Sequence, residues 1–272
     1  MCDALEVSTA GFYAWANRTP SPTEQHNEKL VATIRAIHDE VKGRYGSPRM
    51  TAELHARGHD CSENTVAKLM QIHGIRAKAP RRFVRTTDSR HGLPVADNVL
   101  DRDFNPTAPN TVWSADITSI PTADGWLYLA VVEDLFSRKI VGWAMDATMT
   151  SRLVVDALEM AIRRRLPAEG LLAHSDRGSQ YASDHHRSVL NRHGIDCSMS
   201  RVAQCWDNAP VESFFASLKR ELVHDEKYTT HDEARASLFE YIEAFYNRVR
   251  LHSSVGYLSP EAFERAYNQK HP

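Results

Sequence analysis

The sequence is poor in the features that would place it outside the cell or in a membrane. It has four cysteines among 272 residues. These are Cys2, Cys61, Cys197 and Cys205, and no two of them form a CxxC pair. That spacing excludes a disulfide scaffold and leaves no cysteine zinc site, so reduced thiols in a reducing compartment are expected. No run approaches the roughly 20 apolar residues needed to span a bilayer. The first residues lack the basic-then-apolar pattern of a signal peptide. There is no internal repeat and no low-complexity tract. These absences predict a cytoplasmic chain with no membrane partner. The composition is 42% hydrophobic and 25% charged, which excludes wholesale disorder. The length accommodates an α/β catalytic domain with a smaller second domain.

A large net charge is also lacking, at −2 overall. The distribution is more telling than the total. Residues 28–100 carry 13 Lys/Arg against 8 Asp/Glu, whereas residues 101–225 carry 13 against 17. A basic module followed by an acidic one matches a nucleic-acid-binding arm joined to a cation-binding core. The basic excess is concentrated in Arg76, Lys78, Arg81, Arg82, Arg85 and Arg90, opposed only by Asp88. Such a run is either a solvated linker or a phosphate contact.

The chain divides by texture. Residues 1–23 read as an aromatic helical stub, with Ser8 as a cap and Phe12, Tyr13 and Trp15 following, closed by the linker Pro20-Ser21-Pro22. The stub is either the remnant of a helix-turn-helix or a packing helix. Residues 24–75 read as all-helical. Leu30, Ile34 and Ile37 form one stripe, Ser47 and Pro48 open a second helix, Gly58-His59-Asp60 turns the chain, and Ser62 caps a third. Short helices around a glycine turn suit a helix-turn-helix-like DNA-binding domain, or a purely structural three-helix unit. Residues 76–105 are expected to be a basic linker. From 106 to 225 strands dominate at first. TVWSADITSI, WLYLAVVED and KIVGWAM are β-rich runs, followed by helix 151–165, strand 171–176, helix 184–193, strand 195–199 and helix 210–223. Three strands and then alternating helices and strands is the ribonuclease-H-like order, a mixed five-stranded α/β sheet with flanking helices. Residues 226–272 form a helical extension, with Leu238, Tyr241, Ile242 and Phe245 on one face.

Three acids in this second region carry the chemistry. Asp116 lies within the first strand, where alternation predicts burial, and a lone buried aspartate is costly unless paired or bound to a cation. Asp176 ends the fourth strand in HSDRGSQY, where Gly178 lets another group come close. Glu212 lies in the first turn of the helix opened by Pro210, with Asp207 and Asn208 placed to cap it. Lys219 follows two turns later on the same face. Together the acids fall on the first strand, after the fourth strand and on the last helix, and converge at one edge of the sheet. Three hard oxygen donors favour Mg²⁺ or Mn²⁺ over Zn²⁺. Two such ions about 4 Å apart clamp the attacking and leaving oxygens of a phosphoryl displacement. Glu133 and Asp134 read as a strand-end pair.

RYGSPRM, VWSADITSI, LYLAVVEDLFSRKIVGW, HSDRGSQY, CWDNAPVESFFASLKREL and YNRVRLHSSVGYLSP, in that order, resemble the second-frame (OrfB) protein of the IS-three family of bacterial insertion-sequence transposases, whose core is similar to that of retroviral integrases. The resemblance covers almost the whole chain, and the 35 residues between Asp176 and Glu212 are the family's spacing. It implies a metal-dependent polynucleotidyl transferase with an integrase-like DDE triad at Asp116, Asp176 and Glu212 and the family's basic residue at Lys219. Cleavage at element ends and 3′-OH strand transfer would follow. It implies as partners the element's terminal repeats, target DNA, a first-frame (OrfA) helix-turn-helix and leucine-zipper protein, and further copies of this chain on DNA, with a nucleoid-associated location. One departure is that Val202, Ala203 and Gln204 replace the family's usual Lys and Gly after Ser200-Arg201, which removes a basic group before the glutamate helix.

Three other readings compete. They are an end-binding regulator that does not cut, a nuclease that only hydrolyses, and a zinc hydrolase built on His174, His185 and His186. The basic run generates one direct expectation. Neutralising Arg81, Arg82 and Arg85 weakens DNA binding on any sequence and flattens its salt dependence, by up to about one unit of log–log slope for each phosphate no longer neutralised. A binding titration across salt concentrations reads this, and an unchanged slope returns the run to a solvated linker.

Overall fold

The computed structural model describes residues 2, 7–79, 94–201 and 204–271. The chain divides into two compact units, Met1–Lys78 and Ala79–Pro272. Among the described residues no helix is long and apolar enough to cross a membrane.

The first unit holds helices α1 (Thr9–Ala16), α2 (Pro22–Glu40), α3 (Ser47–Ala56) and α4 (Glu63–Ile72). Pro20-Ser21-Pro22 is more than a linker. Ser21 is the N-cap of α2 and forms a reciprocal box with Glu24, whose backbone N–H reaches the serine hydroxyl at 3.2 Å while its carboxylate accepts from Ser21 N at 2.6 Å. Pro22 fits the first turn because its missing N–H would have had no helical partner. Helix α3 starts one residue earlier than its sequence signals indicate, with Gly46 as cap and Ser47 already helical. Ser62 caps α4 through Thr65 N. Leu30, Ile34, Ile37, Met50, Leu54 and Val66 are fully buried between these helices. Helix α1 is capped by Ser8 but buries no residue, and Tyr13 and Trp15 are exposed.

The second unit is built on a five-stranded sheet. In chain order the strands are β1 (Val112–Thr122), β2 (Gly125–Asp134), β3 (Lys139–Asp146), β4 (Leu172–Ser175) and β5 (Asp196–Met199), and in space they run β3-β2-β1-β4-β5. The first three form an antiparallel meander through the Ala123–Asp124 turn, whereas β4 and β5 are parallel to β1. Helices α5 (Ser151–Arg165) and α6 (Asp184–Arg192) supply the crossovers such parallel pairing requires. They bury Leu153, Val154, Leu158, Val189 and Leu190 against Trp113, Val132 and Val141 of the sheet. Residues 97–104 belong to this unit and not to a free linker. Val99 and Leu100 N–H groups donate to the Ser198 hydroxyl, and Leu100 packs with Val112 and Leu135.

Helix α7 (Ala209–Glu221) is followed by α8 (His231–Phe239), and the chain then widens into a π-helical stretch at Glu240–Tyr246. The extension is therefore not one regular helix. Tyr241, Ile242, Phe245 and Tyr246 of this stretch are all buried. Asn247 then bonds the edge strand as a peptide would, accepting from Ile140 N and donating to Ile140 O, each at 2.9 Å. Arg250 is buried and bridges α7, donating to both Glu221 oxygens and to Ser217 at 2.8 Å. The last helix, α9 (Pro260–Lys270), returns Glu264 to Arg165, Lys139 and Ser137.

Sheet and helix α5 meet most closely at Gly142 of β3. A Cβ there would stand 2.2 Å from the Ala157 carbonyl oxygen and 2.8 Å from Ala161. Neither obstacle is a flexible side-chain end, so the whole helix would have to move. Gly142→Ala is expected to destabilise the catalytic unit by about 3 kcal/mol, seen as a lower urea midpoint. A midpoint equal to that of the unaltered chain would show the helix yielding freely.

Candidate active site

Strand pairing brings the first two acids together. Ala115 of β1 is in register with Ser175 of β4. One residue further along come Asp116, within the central strand β1, and Asp176, just past the carboxyl end of β4. Neighbouring strands lie about 4.8 Å apart. Both aspartates are half-buried. Asp116 Oδ1 accepts from Ile117 N at 2.8 Å, and Asp176 Oδ1 accepts from Gly178 N at 2.8 Å. A side chain at 178 would place its Cβ 2.9 Å from that same oxygen, so the close approach requires glycine.

The third acid arrives on α7. Its first turn carries Glu212, which is exposed. Asn208 occupies the N-cap position, but its side chain does not cap the helix. It reaches across to β1 instead: the Ser114 hydroxyl donates to Asn208 Oδ1, and Asn208 Nδ2 donates to the Ala115 carbonyl at 3.3 Å. Ser114 and Asp116 are two apart on one strand and face the same way. The clamp therefore sets the start of α7 over the face that carries Asp116. Asp207 anchors the same turn from the other side. It is fully buried and accepts from Arg102 Nε at 2.7 Å, Arg201 Nη2 at 3.0 Å, Arg201 N at 2.9 Å and Asn98 Nδ2 at 2.9 Å. The Arg201 bonds above all hold its carboxyl far below the usual carboxylate range.

The electrostatics follow from this assembly. Burial, and then the charges of Asp176 and Glu212, push the Asp116 carboxyl well above its ordinary range. Lys219, half-buried on the same helix, is lowered by desolvation against the opposing pull of Asp116. All three acids and the lysine therefore act on one another. Among the described residues no group of three His, Cys, Asp or Glu side chains already stands in an ion-holding arrangement. The set still fits a divalent cation. It consists of oxygen donors, its central member is protonated too easily, and Lys219 is the cation acting on Asp116.

Other sequence candidates fall elsewhere. His174 is a core residue bonded to the Ser198 and Ser200 hydroxyls at 2.9 and 3.2 Å, and burial lowers its pKa to about 4. His186 is buried and His185 exposed, so the zinc-hydrolase reading finds no centre among the described residues. Asp134 is a structural carboxylate paired with Arg165 at 3.2 Å, raised to about 6 chiefly by burial. Glu133 is raised to about 8 by burial. Arg76 and Lys78 close the first unit, where the Arg76 carbonyl meets His38 Nε2 at 3.2 Å and Lys78 N donates to the Gly43 carbonyl at 3.1 Å. Arg81, Arg82, Arg85, Arg90, Val202 and Ala203 lie outside the described residues. Sequence reasoning missed Asn98, Arg102, Ser114 and Arg201 as the partners of the Asp207-Asn208 turn. The one available signal was two consecutive polar residues before a helix that needed only one cap.

The chain resembles known proteins over nearly all of its length. An integrase core domain model matches residues 106–205, a second integrase core domain model matches 212–267, and an HTH-like domain model matches 25–83. The chain is 45% identical over 266 residues to transposase InsF for insertion sequence IS3A of Escherichia coli K12, covering 97% of this chain and 92% of that protein. The chain belongs to the IS-three family of insertion-sequence transposases. A second relative of this transposase, the insertion element IS600 uncharacterized 31 kDa protein of Shigella sonnei, is 43% identical over 99% of both chains. Among solved structures, a chain of the simian T-cell lymphotropic virus intasome in complex with PP2A regulatory subunit B56 gamma aligns at TM-score 0.49 and 16% identity, over 85% of the transposase and 74% of that chain. The HTLV-2 integrase catalytic core domain in complex with magnesium aligns at 0.45 and 17%, over 58% and 98%. Family membership makes the chain an enzyme of the polynucleotidyl-transferase type that acts in DNA transposition.

The Asn208 clamp can be tested by measuring stability and strand cleavage together. Asn208→Ala strands the buried Ser114 hydroxyl, and the loss is expected to be about 1–3 kcal/mol of unfolding free energy. Strand cleavage should fall with it, because the start of α7 is no longer tied to β1. Full cleavage by a destabilised Asn208→Ala protein would show that the clamp serves stability alone.

Proposed function

We propose that Asp116, Asp176 and Glu212 are the DDE triad of this transposase and hold two Mg²⁺ or Mn²⁺ ions for cleavage at the element ends and for transfer of the freed 3′-OH to target DNA. The observation that supports the reading is the side-by-side placement of Asp116 and Asp176 after the paired residues Ala115 and Ser175, with the start of α7 tied over the same face by Asn208. When bound, the ions supply charge to the phosphoryl group in flight and acidify the attacking hydroxyl. Asp116 and Asp176 form the fixed part of the cradle, each already oriented by a backbone N–H. Glu212, exposed on the first helical turn, closes the set by a change of rotamer. Lys219 keeps its proton beside the carboxylates and pairs with the DNA backbone. No side chain forms a covalent link to DNA in this scheme.

Removal of any one acid abolishes the chemistry and spares binding. Asp116→Ala, Asp176→Ala and Glu212→Ala are each expected to lower cleavage of terminal-repeat DNA by at least about a thousandfold, a barrier higher by about 4 kcal/mol. Affinity in a gel shift stays within about twofold. Wild-type turnover in any single variant would remove that residue from the triad.

The proposal extends to the arrangement of the chain and its partners. Residues 24–75 read DNA, with Arg76, Lys78, Arg81, Arg82 and Arg85 adding phosphate contacts along the 76–105 segment. Residues 106–225 carry the chemistry, flanked by the 1–23 stub and the 226–272 extension. A single helix-turn-helix-like unit reaches useful specificity mainly as a dimer. The isolated chain is therefore expected to bind terminal repeats weakly, and the first-frame helix-turn-helix and zipper protein to restore tight binding by homo-oligomers on DNA. Gel shifts of terminal-repeat against scrambled DNA at fixed salt, with and without that protein, read this directly. Strong discrimination by the isolated chain would dispense with the partner.

A further inference from the structure

Three buried side-chain polar atoms of the second unit make no hydrogen bond of good geometry within the protein, although the Tyr181 backbone acts on His186, and they belong to residues lining one cavity. They are Trp113 Nε1, the Tyr181 hydroxyl and His186 Nδ1. Their residues are 1%, 2% and 4% exposed. Apolar groups of Val132, Val154 and Leu158 complete much of the wall. The cavity admits the centre of a water-sized sphere over about 10 Å³, close to what a single water requires. A buried water is held by two to four polar groups. This cavity offers an indole N–H donor, a hydroxyl that donates or accepts, and a ring nitrogen that does either according to tautomer. Left dry, all three would carry an uncompensated desolvation cost.

The cavity is connected to the acids through the chain itself. Asp176, Gly178 and Tyr181 belong to one tight loop: Gly178 N donates to Asp176 Oδ1 at 2.8 Å, and Tyr181 N donates to the Gly178 carbonyl at 3.0 Å. His186 stacks edge-on against the Tyr181 ring at 5.3 Å and is set by Ser183, the cap of α6. The Tyr181 hydroxyl also lies within the field of Asp116 and Asp176.

We propose that Trp113, Tyr181 and His186 form a binding site for one structural water, and that this water fixes the Tyr181 hydroxyl behind the aspartates, making Tyr181 a positioning residue for Asp116 and Asp176. The water site stands on the cavity and its three atoms. The positioning role rests in addition on the triad reading.

The test separates the two. A crystal structure of the metal-free full chain, at a resolution that shows ordered waters, is expected to place one water within hydrogen-bonding distance of all three atoms. A dry cavity, or direct bonds among the three groups, overturns the site. Tyr181→Phe keeps the ring and deletes the hydroxyl. With the water in place, the deletion strips it of a partner, and the unfolding midpoint should drop by about 2–4 °C. An unchanged or higher midpoint means the hydroxyl was unpaired, and overturns the site. Mn²⁺ titration without DNA, followed by electron paramagnetic resonance, reads positioning. The Kd of Tyr181→Phe should rise on the order of tenfold, and an unchanged value overturns the positioning role. Asp116→Ala in the same titration is the control for the triad: if it binds Mn²⁺ as the wild type does, the triad reading fails, while the crystallographic water and the midpoint still decide the site.

Discussion

Holding like charges together is the constraint on which the catalytic unit depends. Asp116, Asp176 and Glu212 repel, and burial makes the repulsion stronger because the local dielectric is low. Nothing local to any of the three would keep them near one another. The parallel β1–β4 pairing sets the two aspartates side by side, and it requires the α5 crossover to be closed first. The third acid depends on a helix whose start is tied to β1 by the Asn208 side chain and to residues 98–102 and Arg201 by Asp207. The frame around the site is bonded largely by amides and by paired charges such as Asp207 with Arg102 and Arg201.

The buried ion pairs around it are best understood as fasteners. A buried pair contributes little net stability relative to a well-packed apolar substitute, yet removing one partner leaves an expensive lone charge. Arg250 with Glu221, and Arg165 with Asp134 and Glu264, each join segments far apart in sequence. They specify which surfaces meet. Asn247 does the same with an amide, completing the hydrogen bonds of the β3 edge and protecting it from pairing with another chain.

Much of this was legible in the sequence, for physical reasons that differ by element. Strands β1 to β3 announce themselves because buried strands must be apolar and β-branched. Ser62 was readable as a cap because the partner of a cap lies three residues away. Asp116 was readable because charge in an apolar strand is costly. Ser21 was obscured by two flanking prolines that mimic a linker, although one of them opens α2. Asp207 and Asn208 were legible as cap candidates, yet apart from Arg201 their partners lie about a hundred residues away and leave no local pattern. The π-helical stretch escaped because its apolar residues, Tyr246 included, also satisfy an α-helical stripe.

The tail that follows α7 carries none of the acids, but it limits where the catalytic unit can end. Tyr228 pairs with the β1–β2 turn through Thr122 and Ala123, Asn247 covers β3, Arg250 neutralises Glu221 two turns beyond Glu212, and Glu264 completes the Arg165 cluster. A cut before Asn247 would uncover Ile140 of β3, and a cut anywhere between α7 and α9 would strand at least one carboxylate or guanidinium in a dry interior. A fragment of this unit that keeps its frame therefore extends through α9, and a shortened copy that retained Asp116, Asp176 and Glu212 would lose the packing that holds them together.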